Sequence, residues 1–97
     1  MPMAGRLLTL TPGFARARSR LGIHTGSERA RTLAACLSSL ASSETLPGVV
    51  DFEAEFKPGT AHVRRAGAAN LWVWFRFSED SVTILSVTNT PPVPLSG

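Results

Sequence analysis

Tyrosine is absent from the 97 residues, lysine occurs once, at Lys57, and cysteine once, at Cys36. A lone cysteine forms no internal disulfide and cannot build a thiolate metal cluster, so the staples of small secreted domains are excluded. No stretch nears the ~20 consecutive apolar residues of a membrane span, and residues 1–10 lack the long apolar run of a secretory signal. The expected location is the cytoplasm, with no membrane partner. Charged residues make up only 18% against 43% hydrophobic, which is enough apolar material for one small core but leaves no length for a second. Residues 1–97 therefore read as one α+β domain with extended tails at 1–5 and 90–97.

Basic residues outnumber acidic ones by ten to seven, and nine of the ten are arginines. Residues 1–48 carry +4 and residues 49–97 carry −1. Arginine presents a planar fork to phosphate or carboxylate, so the bias suits an anionic partner, although a genome-wide coding bias would produce it as well. Arg16, Arg18 and Arg20 fall at every second position, which scatters them around a helix axis and reads as a solvated shell.

The run RLLTLT at 6–11 predicts a first strand closed by a Pro12-Gly13 turn. Phe14, Ala17 and Leu21 form one stripe of a helix over 14–21 that Gly22 ends, and Thr25 or Ser27 can cap a second helix. In that second helix Ala30, Leu33, Ala34, Leu37, Leu40 and Ala41 recur with helical spacing, Cys36 bordering the stripe as a packing thiol. After the Leu46-Pro47-Gly48 break the period changes to two. Val50, Phe52, Ala54 and Phe56 alternate with Asp51, Glu53 and Glu55, predicting a half-exposed strand with an acidic face. Further strands are expected over 60–65, 71–77 and 81–88, with a turn over 67–70 and a polar hairpin over 78–80. Pro91, Pro92 and Pro94 then bar further pairing. The order is β-α-α-β-β-β(-β), with both helices on one face of an antiparallel sheet and the other face left for function.

Three segments carry a family resemblance: the opening LTLTPGFARARSRL, the helix end ASSETLPG, and HVRRAGAANLWVWFRFSEDSVTILSV. Together they resemble the RelE/ParE superfamily of small bacterial toxins, with residues 71–80 fitting the family's penultimate strand. The resemblance implies the toxin of a type II toxin–antitoxin system, neutralised by a cognate antitoxin. Its target would be mRNA in the ribosome, cleaved by RelE-like members, or DNA gyrase, inhibited without nuclease activity by ParE-like ones. An inactive toxin-fold protein that only binds other chains is the alternative.

Phosphodiester cleavage needs a base for the 2′-hydroxyl, a stabiliser of phosphorane charge and an acid for the leaving oxygen. The basic residues and tyrosine usual in the nuclease members are thinned out here, and Thr88-Asn89-Thr90 stands where a basic position is common. His62, Arg64 and Arg76 are the remaining catalytic candidates, His62 and Arg64 sharing one side of their strand. Each has a plainer reading as a surface histidine or as an arginine paired with Asp51, Glu53 or Glu55 across the sheet. Trp72 and Trp74 share a side with Arg76, an aromatic platform for bases or for a partner peptide, or equally core or dimer-contact packing. Lys57, Arg65 and Asn89 complete the candidate binding set. His24 has no second ligand at metal spacing, no serine has a base beside it, and no glycine-rich phosphate loop is present, so neither metal nor cofactor is expected.

Overall fold

The computed structural model describes residues 5–67 and 70–95. The expected turn over 67–70 lies partly outside them, as do the ends of both tails.

Strand β1 (Leu7–Leu10) leads directly into helix α1 (Pro12–Arg20). The Thr11 hydroxyl accepts from the Phe14 N–H at 3.2 Å and donates to the Ile84 carbonyl at 2.8 Å. Pro12 is thus the first helical residue and not the turn expected of it, because its fixed φ and missing N–H suit that position. The helix ends where Gly22 takes φ +68 and the Ile23 N–H reaches back to the Arg18 carbonyl at 3.2 Å, a left-handed cap that suits glycine.

Helix α2 (Glu28–Ser42) is capped by Ser27, whose hydroxyl accepts from the Ala30 N–H at 3.1 Å. Its buried side chains are Leu33, Cys36, Leu37 and Leu40. The stripe is therefore rotated from the expected one: Cys36 enters the core and Ala34 is exposed.

Strands β2 (Phe52–Glu55), β3 (Thr60–Arg65), β4 (Trp72–Phe77) and β5 (Ser81–Thr88) form an antiparallel meander. β1 adds to the far side of β5 in parallel, giving the order β1-β5-β4-β3-β2. The sheet is consequently mixed, a correction to the wholly antiparallel expectation. A register shift at Trp74/Phe75 skips Leu85 on β5, so inward alternation resumes with Val87 beyond it.

One face of β5 and β4, carrying Val82, Ile84, Val87, Val73 and Phe75, together with Leu71 just before β4, packs against Phe14, Leu33, Leu37 and Leu40 of the helices. Burying such side chains stabilises by roughly 1.5–3 kcal/mol each before entropy is counted. The outer strand β2 lies beyond this layer. Of its expected apolar face only Ala54 is buried, and Val50, 68% exposed, is not in the strand. Among the described residues no helix is long and apolar enough to cross a membrane.

Candidate functional site

Register decides which candidates can meet. His62 pairs with Phe75 and Arg64 with Val73, and residues opposite one another in a ladder share a face. Both therefore lie on the side that faces the helices. Arg76 follows Phe75 and emerges on the opposite side with Trp72 and Trp74. The three expected catalytic residues are split across the sheet, and no phosphate could contact all of them.

Each has a defined local role. Arg64 donates Nε to Asp51 Oδ1 at 2.5 Å and Nη2 to Asp51 Oδ2 at 2.7 Å, and its Nη1 reaches Ser39 Oγ at 3.3 Å. Asp51 also accepts from the Gly48 N–H at 2.7 Å. This clamp ties β3 to α2 and to the loop before β2, and its side chains are 12% and 0% exposed. The hydrogen bond to Asp51 raises the Arg64 pKa above its ordinary value. A β-carbon at Gly48 would stand 2.7 Å from Arg64 Nη2, so the clamp needs glycine there. Nearby, burial pushes the Cys36 thiol up to about 11, which keeps it protonated and unreactive.

On the other face, Arg76 acts as a staple for the β2–β3 turn. Its Nε donates to the Thr60 carbonyl at 3.0 Å and its Nη2 to the Phe56 and Pro58 carbonyls at 3.1 and 3.4 Å. His62 is half-buried, its ring 5.2 Å from that of Phe77 and 6.0 Å from that of Phe75. The plainer reading of Arg64 is the one realised, through Asp51.

What the helix-free face does assemble is a row of alternating cations and rings. Arg65 Cζ lies 5.5 Å from the Trp72 ring centre, Trp74 packs on Phe56 at 5.7 Å, and Arg76 Cζ lies 5.7 Å from the Phe56 ring. Such guanidinium–ring contacts hold planar groups side by side on a surface. Lys57 and Asn89 are both exposed but stand at opposite ends of the sheet, one in the β2–β3 turn and the other after β5.

A second surface was not legible from spacing. Where β1 meets the helices, Leu10, Phe14, Ala15, Leu33, Ala34 and Leu37 line an open apolar groove of about 590 Å³, with Arg18 on its wall. Leu7, 72% exposed, continues the apolar character along the free edge of β1. The only sequence signal for this was an alanine-rich stripe wider than one sheet face needs.

No protein-family model, curated protein or solved structure matches the chain. The class that the fold defines is a small α+β protein with two helices on a five-stranded mixed sheet.

Proposed function

We propose that the chain is the toxin component of a cytoplasmic toxin–antitoxin pair and that it acts by binding its target, the translation machinery or DNA gyrase, without cutting RNA. The observation that carries the second half is the split of His62 and Arg64 from Arg76, with both arginines already engaged by protein acceptors. Cleavage requires base, anchor and acid to converge on one phosphate. Binding requires only a presented surface, and the row Arg65, Trp72, Trp74 and Phe56 supplies rings and a cation in the combination that dominates recognition surfaces.

Support for the first half is the order of elements and the resemblance in residues 6–89. An antitoxin would complement the groove beside Leu10: α1 carries Arg16, Arg18 and Arg20 and no acidic residue, so an acidic amphipathic segment fits its apolar lining and its rim. The alternative, a binding module of toxin-like fold without toxicity, draws on the tail described below, which occupies part of the presented face.

The test is induced expression with and without the neighbouring reading frame. Growth arrest relieved by a small acidic neighbour supports the toxin reading, and normal growth favours the non-toxic module. If arrest occurs, primer extension on cellular mRNA should show no new cleavage ends; new ends would overturn the binding mechanism.

A further inference from the structure

The face left free by the helices is not bare. Trp74 Nε1 donates to Thr88 Oγ1 at 3.1 Å, and that hydroxyl donates to the Thr90 carbonyl at 3.2 Å, which directs the chain after β5 onto the tryptophan side. Seven residues later the Leu95 N–H donates to the Glu53 carbonyl on the outer edge of β2 at 2.8 Å.

Between these anchors the tail has four strand spacings to cross, ending outside β2, and about three residues to climb, a separation of about 22 Å from standard strand dimensions. Seven residues in a polyproline conformation reach about 22 Å. A detour around the helices is therefore too long. On the helix side the direct path is also blocked by the Asp51–Arg64–Ser39 clamp. The shortest path for the tail Asn-Thr-Pro-Pro-Val-Pro-Leu runs diagonally over the tryptophan face, with Pro92 half-buried and Val93 83% exposed. Beneath that diagonal, Ala54, Ala61 and Val63 are 1%, 1% and 0% exposed although they lie outside the main core.

We propose that this face is a docking groove for an extended, proline-rich segment, and that residues 89–95 are its resident ligand held in cis. The occupant's chemistry is read from the segment seated there. Prolines cost little ordering entropy because they are already extended, flat aromatic rings suit their faces, and one free N–H adds to a strand edge. Among the described residues one backbone bond holds its far end, and the tail is a strap that a like segment in trans can displace. A tethered ligand competes at an effective concentration in the millimolar range, so external segments bind weakly until the strap is released. This proposal does not depend on the toxin reading.

The experiment uses the full chain, its Leu95→Pro variant, which deletes the donor to Glu53, and its Thr88→Val variant, which deletes the acceptor for Trp74. The probe is a synthetic peptide of sequence TNTPPVPLSG, and a second peptide with proline in place of its leucine serves as control. Acrylamide quenching of tryptophan fluorescence should rise about two-fold in both variants, with their thermal melting unchanged within a few degrees. The probe should bind Leu95→Pro at least ten-fold tighter than the parent chain and restore its protection, while the control peptide binds neither. Equal quenching in parent and variants would overturn the strap. Equal probe affinity for parent and Leu95→Pro, or equal binding of both peptides, would overturn the groove.

Discussion

The Arg64 guanidinium closes on the Asp51 carboxylate with two parallel donors while Ser39 receives a third, so one arginine joins a strand, a loop and a helix. The geometry is the bidentate fork that arginine makes and lysine cannot. It also removes Arg64 from any catalytic role that needs a free cation.

Removing Asp51 leaves this largely buried cation without its counter-ion. Asp51→Ala should cost about 3 kcal/mol, read as a lower urea midpoint with unchanged slope. Arg64→Met combined with Asp51→Leu should cost less than Asp51→Ala alone, because no charge is stranded. Equal losses would mean that the pair contributes through loop packing and not through charge.

Gly48→Ala tests the same clamp by space alone. A β-carbon there meets Arg64 Nη2 at 2.7 Å, which forces the guanidinium off Asp51. The expected loss is about 1–3 kcal/mol, comparable to an unmade hydrogen bond to a charged group. A melting temperature equal to that of the parent would contradict the tight approach.

Cys36 gives an alkaline signature. Its thiol titrates at about 11 in the folded chain against 9.0 ordinarily, because burial disfavours the thiolate. Between those values the unfolded chain has released the proton and the folded chain retains it, so stability falls as pH rises from 9 to 11. The loss should be up to about 2 kcal/mol, and Cys36→Ala should flatten the profile in that window. An identical slope in both proteins would show that another group is responsible.

Thr11 serves two elements at once, capping α1 and bonding to β5. Thr11→Ala should cost about 1–2 kcal/mol, or a drop in melting temperature of about 4–8 °C per kcal/mol for a domain of this size. Thr11→Ser should recover most of it.

Much of the fold could be read from periodicity. The alternation over 60–65, 71–77 and 81–88 marks β3, β4 and β5, and Gly22 and Ser27 mark the ends of the helices. The β2 alternation overstated that strand: Val50 and Phe56 fall outside it, and its apolar residues Phe52 and Ala54 pair with Val63 and Ala61 on the face turned away from the helices, a choice of side that the pattern alone does not encode. Pairing of β1 with β5 joins residues more than seventy positions apart, which no local pattern encodes. The candidate trio failed for a related reason. Parity along β3 puts His62 and Arg64 together, but the side taken by Arg76 depends on register across the β3–β4 turn. The Asp51–Arg64 pairing was legible as an alternative; the Thr88–Trp74 bond, which needs the tail's path, was not.

The most direct measurement is growth after induction of the parent chain, of His62→Ala, and of Trp72→Ala with Trp74→Ala, each checked for folding by its circular dichroism melt. Arrest is expected from the parent and from His62→Ala, and normal growth from the tryptophan double variant. Arrest that vanishes with His62→Ala and persists without the tryptophans would contradict the binding mechanism.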